Sequence, residues 1–297
     1  MRLATRSSPQ ARTQAQAVAD QLAVAHPGLA VELVFVDTTG DRRVDVPLHQ
    51  MGGQGVFVKE VQAAVLDGRA DAAVHSAKDL PSAATPGLII GAFCERRDPR
   101  DALIGRELEA LDARSVVATG SVRRRAQLRR LRPDITFAEL RGNIGTRLSR
   151  TPPDGAIVMA VAALEVLGIV EEVHAQHGVH RVDIELMVPM IGQGCVAVEH
   201  RATDDETAMV IAALDHRTTR VAVSIERAFL AELGSGCSLP VAAHVHGTTL
   251  HYFLADEALQ RSVTDIVDVS NELGGDDLDG ACRLARNAAR AARTQVW

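Results

Sequence analysis

A chain of 297 residues, 46% hydrophobic and 24% charged, is long enough for two or three domains and lacks the composition of a disordered segment. Its net charge of −6 argues against general nucleic-acid binding, and with 3% aromatic residues its cores must be built mainly from Val, Leu, Ile and Ala. The four cysteines, Cys94, Cys195, Cys237 and Cys282, are far apart with no CxxC pair, which predicts free thiols rather than a disulfide framework or a structural zinc site.

The opening Met1-Arg2-Leu3-Ala4-Thr5-Arg6 lacks the apolar run of a signal peptide. No later stretch approaches about 18 uninterrupted apolar residues, so a cytoplasmic protein without membrane association is expected. Short apolar runs then alternate with amphipathic segments. Val31–Val36 reads as a strand, Phe57–Leu66 as a helix ending at Gly68, and Ala72–His75 as the next strand. Val116–Ala118 and Ala156–Ala160 are further strands. Ser121 caps a helix that Pro133 closes, and Val161–Leu167 is helical. Strands alternating with helices imply α/β domains with largely parallel sheets. From about residue 215 the character changes. A helix over Thr218–Leu233 breaks at Gly234-Ser235-Gly236. Strands at Val241–His246, Leu250–Leu254 and Ile266–Val269 follow, then an Ala/Arg-rich helix from Asp277, and together these read as a separate small α+β domain.

Charge is distributed unevenly. Residues 121–150 hold nine arginines against two acidic residues, while the whole chain has two lysines, Lys59 and Lys78. Genomic base composition is a bland source for arginine preference in general, but it does not explain the clustering, which points to an anionic ligand. In α/β sheets ligands bind where loops leave the carboxyl ends of strands, which puts His75–Asp79 and Ala118–Ser121 at a shared cleft. Asp79 is either a cap or turn residue or a carboxylate projecting into that cleft. Pro81 favours the second by holding Leu80 extended, and such a carboxylate stabilises a cation or moves a proton.

The run Arg123–Arg125 reads either as a solvated basic face or as an anion site. Cations at the electropositive start of a helix call for an anion, and Thr119, Ser121 and free backbone N–H groups complete a carboxylate or phosphate site. Arg141 precedes Gly142, where a tight bend is allowed, and Arg147 lies a turn beyond Asn143. A lone cysteine such as Cys237 is most often a buried small hydrophobe, yet in a glycine-flanked polar loop its thiolate is reachable as a nucleophile. Cys94, Cys195 and Cys282 stand in apolar or helical surroundings and read as structural. His244 and His246 share one strand face without ligand partners at metal spacing, so no metal is expected.

Taken in order, a set of motifs resembles one family along nearly the whole chain. They are Arg2–Pro9, GDRR at 40–43, GVFVKE at 55–60, ADAAVHSAKDLP at 70–81, ERRDPRDAL at 95–103, TGSVRRRAQL at 119–128, LRGNIGTRL at 140–148, IGQGCVAVE at 191–199, ERAFL at 226–230 and GSGCSLP at 234–240. The family is that of the hydroxymethylbilane synthases, or porphobilinogen deaminases. The resemblance implies two domains like those of type II periplasmic binding proteins, residues 1–93 with 190–212 and residues 94–189, and a smaller C-terminal α+β domain at 213–297. It implies a transferase of tetrapyrrole (haem) biosynthesis that joins four porphobilinogen molecules head to tail, releases ammonia and hydrolyses the product free. It further implies a dipyrromethane cofactor held by a thioether to Cys237, with Asp79 as the catalytic carboxylate.

Lys78, Thr119, Ser121, Arg123, Arg124 and Arg141 are then expected at the cofactor. Arg6, Ser8, Ser76, Arg147 and Gln193 are expected at porphobilinogen and the growing polypyrrole chain. No metal, nucleotide, nucleic acid or membrane partner is implied, and the absence of a heptad pattern or apolar patch makes a monomer the expectation. The chain departs from common family members at Gln54, often Lys; at Thr13, often bulky and apolar; at Val166, often Arg; and at Gly120, often Ser. These bear on the finer make-up of the carboxylate clamp. A binding protein of the same two-lobed fold would explain the arginines but gives no role to the third domain or Cys237. A nucleic-acid binder rests on the Arg-rich helix alone.

Overall fold

A computed structural model describes residues 1–38, 55, 57–234 and 239–297, so Gln54 and Cys237 lie outside the described residues. Strands β1 (Arg2–Arg6), β2 (Glu32–Val36), β3 (Ala72–Ser76) and β4 (Leu88–Phe93) are followed by β5 (Asp101–Gly105), β6 (Val116–Ala118), β7 (Thr136–Ala138), β8 (Ala156–Ala160) and β9 (Val179–Arg181). Then come β10 (Val196–Arg201), β11 (Val241–His246), β12 (Thr249–Ala255) and β13 (Ser262–Asp268). They form two five-stranded sheets, β2-β1-β3-β10-β4 and β7-β6-β8-β5-β9, and a three-stranded sheet, β11-β12-β13.

Both large sheets are parallel except for one strand: β10 runs against β3 and β4, and β5 runs against β8 and β9. These are the strands the chain enters on crossing between sheets, through residues 94–100 into β5 and through residues 182–195 into β10. The largely parallel α/β lobes expected from the sequence are present, with a smaller α+β part at the C-terminus.

Side chains alternate across each strand, and that alternation builds two cores per sheet. Leu3, Ala72, Val74 and Val198 pack on Ala15, Val18, Ala19 and Leu22 of the helix Pro9–Ala25. Their neighbours Ala4, Ala73 and Leu88 face Val61, Ala64 and Val65 of the helix Lys59–Leu66 on the other side. Alanine at so many inner positions lets helices sit close to the sheet in a chain poor in aromatics. Each fully buried Leu, such as Leu3 or Leu22, contributes about 1.5–3 kcal/mol.

The third sheet is an antiparallel meander covered by the helices Arg217–Leu233 and Leu278–Val296. In the latter, Ala281, Cys282, Ala285, Ala288, Ala289, Ala292 and Val296 form one buried stripe at helical spacing. One expectation is corrected here. The last strand runs over Ser262–Asp268 rather than Ile266–Val269, because it is a mostly solvated edge whose polar residues hide its start from a hydrophobicity reading.

Candidate active site

A cleft of about 230 Å³ opens where the two lobes and the third domain meet. One wall follows β3, where Ala77–Asp79 makes a single 3-10 turn and Leu80 is extended (φ −69°, ψ 139°), as Pro81 requires. The second crossing presses directly on this turn: the Ala77 N–H donates to the Cys195 carbonyl at 2.9 Å. Gly192 has φ +69°, and a Cβ there would lie 3.1 Å from the Ala77 carbonyl carbon, so only glycine permits the approach. Asp79 is 3.7 Å from the Arg6 guanidinium, which in turn stacks on Phe57 at 4.1 Å. Asp79 is thus a turn residue and a cleft residue at once.

The facing wall is the start of the helix Val122–Leu131. Ser121 caps it, its hydroxyl accepting the Arg124 N–H at 3.4 Å, and the Thr119 hydroxyl accepts the Ser121 N–H at 3.2 Å. Arg123 and Arg124 are 4% and 8% exposed, which excludes the solvated-face reading for them; Arg125 turns outward to Glu139. The carboxylate of Asp101, at the start of β5, accepts Arg123 Nη2 at 2.7 Å, Arg124 Nη2 at 2.7 Å, Arg124 Nε at 3.1 Å and Gln193 Nε2 at 3.0 Å. Arg123 and Arg124 also donate to the carbonyls of Val188 and Val158. The expectation that this pair relies on an external anion is therefore corrected, since the chain supplies a first one itself. Burial would raise the pKa of Asp101, but the two guanidiniums outweigh it and hold the carboxyl below the ordinary range.

Further cations remain. Burial pushes the Lys78 ammonium down to about 8, against the opposing pull of Asp79. Burial, then repulsion from Arg124 and Arg141, pushes Arg147 down to about 10; its Nε donates to the Gly142 carbonyl at 2.7 Å. Five cations (Lys78, Arg123, Arg124, Arg141, Arg147) line the cleft, against the carboxylates of Asp79 and Asp101. Leu80, Val158, Ile191, Leu230 and Leu239 supply an apolar seat between them. Among the described residues no group of side chains could hold a metal ion, and no helix is long and apolar enough to cross a membrane.

The structure gathers Lys78, Asp79, Thr119, Ser121, Arg123, Arg124, Arg141, Arg147 and Gln193 around the cleft, with Arg6 joined through Asp79. It does not bring in Ser8 or Ser76. The Ser8 hydroxyl caps the helix Pro9–Ala25 by accepting the Ala11 N–H at 3.3 Å, and Ser76 donates to Gln14 at 3.0 Å. Cys237 is outside the described residues, while Leu239, two positions along the chain, lines the cleft.

The departures noted in the sequence also find a place. A Cβ at Gly120 would lie 2.9 Å from the Leu140 carbonyl oxygen, Val166 is buried in the helix Val161–Leu167, and Thr13 caps back to the Pro9 carbonyl. Sequence reasoning missed Asp101, and it missed the ion pair of Arg96 with Glu226 beneath the cleft. Both lie inside quoted motifs, but nothing local to the sequence marks their pairing.

Two α/β lobes that close a cation-rich cleft over a turn-borne carboxylate define an enzyme-like anion site with a third domain at its rim. Residues 1–209 match the family model described as porphobilinogen deaminase, dipyromethane cofactor binding domain. The chain belongs to the porphobilinogen deaminase family, a transferase family of tetrapyrrole biosynthesis that binds porphobilinogen.

Among solved structures, the chain is similar to YhfZ from Shigella flexneri, with 17% identity, a TM-score of 0.39, and 74% of this chain and 91% of that chain covered. It is also similar to an ABC-type phosphate transport receptor from Vibrio cholerae, with 14% identity, a TM-score of 0.37 and coverage of 74% and 95%. A reduced form of OxyR from N. meningitidis matches at 14% identity, a TM-score of 0.38 and coverage of 72% and 93%.

Proposed function

We propose that the chain carries out the hydroxymethylbilane synthase reaction: stepwise condensation of four porphobilinogen molecules with loss of ammonia, then hydrolysis to the linear tetrapyrrole that feeds haem formation. The observation that carries this reading is Asp79, held on a turn at the mouth of a cleft with surplus cations. The site fits a dipyrromethane. Its acetate and propionate groups would meet Lys78, Arg124, Arg141 and Arg147, and Arg123 Nε is a buried donor without a partner among the described residues. When bound, through a thioether to Cys237, the dipyrromethane supplies the free pyrrole carbon from which the chain grows.

The chain's own residues then have distinct work. Arginine forks meet ring carboxylates two hydrogen bonds at a time, which offsets the cost of taking them out of water. Loss of ammonia from porphobilinogen leaves a cation, and the Asp79 carboxylate stabilises that charge and manages the pyrrole N–H proton. Arg6, 3.7 Å away, is a countercharge beside Asp79 and is placed to receive the incoming substrate's carboxylates. We assign residues 1–93 with 190–212 to the first lobe, 94–189 to the second and 213–297 to the domain of the cysteine loop. A cytoplasmic monomer is part of the same reading.

Incubation with porphobilinogen tests it, with ammonia and linear tetrapyrrole as the expected products. An intact mass equal to the bare polypeptide, with porphobilinogen bound but not consumed, would instead support a simple anion-binding protein.

A further inference from the structure

Asp101 is a fully buried carboxylate next to the cleft. It does not line the cleft, whereas all three side chains that donate to it do. Those donors come from separate parts of the chain: Arg123 and Arg124 from the helix Val122–Leu131, and Gln193 from the second crossing. Oδ1 accepts Arg124 Nε, Arg124 Nη2 and Gln193 Nε2, while Oδ2 accepts Arg123 Nη2. A second acceptor fixes the plane of each: the Val158 carbonyl for Arg124, Val188 for Arg123 and Pro99 for Gln193, at 2.8, 2.8 and 2.7 Å.

We propose that Asp101 is a positioning residue for the carboxylate site, gripping Arg123, Arg124 and Gln193 from beneath so that their remaining N–H groups are set toward the cleft before any ligand arrives. The inference rests on the reading of the cleft as the seat of carboxylate-bearing pyrroles. One buried carboxylate shared by two guanidiniums removes enough repulsion for the pair to sit side by side, yet leaves a net positive charge for the ligand. Donors fixed in advance need no reorganisation when the ligand binds. A neutral amide cannot replace it, because the NH2 of asparagine would face a guanidinium N–H, donor against donor.

The charge also reaches Lys78. The ammonium is flanked by Asp79 and Asp101, which favour its proton, and by Arg123 and Arg124, which oppose it. Removing the Asp101 charge shifts Lys78 toward its neutral form, so a carboxylate site that relies on Lys78 should begin to fail at lower pH.

The test is Asp101→Asn in the full chain beside wild type, read by cofactor content from intact mass, by porphobilinogen turnover and by the pH profile. Cofactor assembly and turnover are expected to fall at least tenfold, and the alkaline limb of the profile to move to lower pH. Loss of folded protein alone would not move that limb. If Asp101→Asn does not fold, the charge-balanced double variant Asp101→Asn/Arg123→Gln takes its place. A fall in cofactor content and turnover is again expected, because an amide oxygen holds Arg124 and Gln193 without the carboxylate's charge, while loss of the Arg123 repulsion offsets the effect on Lys78 and leaves the alkaline limb near its wild-type place. Wild-type cofactor content and rate in either variant, or a wild-type alkaline limb in Asp101→Asn, would overturn the proposal. So would failure of both to fold, which would make Asp101 a stabiliser of the lobe instead. Wild-type protein that releases no ammonia from porphobilinogen would sink the functional reading and not this one.

Discussion

Arg96 and Glu226 form a two-point ion pair beneath the cleft, with Nη1–Oε1 at 2.6 Å and Nη2–Oε2 at 3.1 Å. Glu226 has no exposed surface, and it also accepts the N–H of Gly192 at 2.8 Å and of Val245 at 3.0 Å, with His244 Nδ1 at 3.2 Å. Arg96 lies on the first crossing, Gly192 on the second, and Val245 in the third sheet. One carboxylate therefore ties both crossings to the third sheet.

Glu226→Gln should destabilise the protein by about 3–5 kcal/mol, because it leaves the Arg96 guanidinium with no countercharge. The melting temperature is expected to drop by roughly 5–15 °C. The pH dependence has a definite sign. Burial alone would raise the Glu226 pKa, but Arg96 and then His244 bring it to about 2, from 4.5 in the unfolded chain. Its contribution is present above pH 4.5 and lost as pH falls through about 2. Melts from neutral pH downward should show that loss in wild type, and a smaller one in Glu226→Gln. Equal melting temperatures for the two proteins at neutral pH would contradict the assignment.

The cysteines should behave unequally. Cys94, Cys195 and Cys282 are buried, and burial raises all three thiols, Cys94 to about 11. At neutral pH they offer almost no thiolate for bond formation. Peptide mapping of the holoprotein should therefore find the pyrrole mass on the Cys237 peptide, and native alkylation should leave Cys94 and Cys195 untouched. A pyrrole adduct on any of the three buried cysteines would remove Cys237 from its proposed role.

What the sequence made legible is mostly local. Ser121 reads as a cap and is one, Leu80 is extended before Pro81, and the strand read at Ala72–His75 is β3. The arginine cluster and Asp79 were visible as candidates for the same reason. Asp101 was not, because its partners lie 22 residues and more away, and only the packing of β5 under the Arg-rich helix joins them. Ser8 and Ser76 do not line the cleft, and their hydroxyls are engaged with the Ala11 N–H and with Gln14, contacts that no local motif reveals. The edge strand β13 was misplaced because solvated strands lose the apolar signal that marks buried ones.

Asp79→Asn should abolish turnover while the protein stays folded. The amide keeps nearly the same volume on the turn, so its cost falls on the cation rather than on packing. Stabilisation of that charge in a partly dry cleft is worth several kcal/mol, and each 1.36 kcal/mol is tenfold in rate. Ammonia release above about a tenth of wild type would be incompatible with an effect of that size. An unchanged melting temperature is the accompanying control.

Arg124 and Arg147 are expected to fail in different ways, and the structure gives the reason. Arg124 donates twice to buried Asp101 and once to the Val158 carbonyl. Arg124→Leu thus removes half of Asp101's countercharge, lowers stability, and should give protein with little or no cofactor. Arg147 donates to one carbonyl, that of Gly142, and is opposed by Arg124 and Arg141. Its loss relieves repulsion, so Arg147→Leu should melt at or slightly above the wild-type temperature. It should still acquire cofactor, then stall with short enzyme-bound chains, because each added ring brings two more carboxylates to a cleft now short of one cation. Loss of one charge-assisted contact, about 1.5–3 kcal/mol, is enough to slow that step at least tenfold. Native mass spectrometry after limited addition of porphobilinogen would display the ladder of bound intermediates. A wild-type ladder at wild-type speed in both variants would show that neither arginine handles the ring carboxylates, whatever the family of the protein.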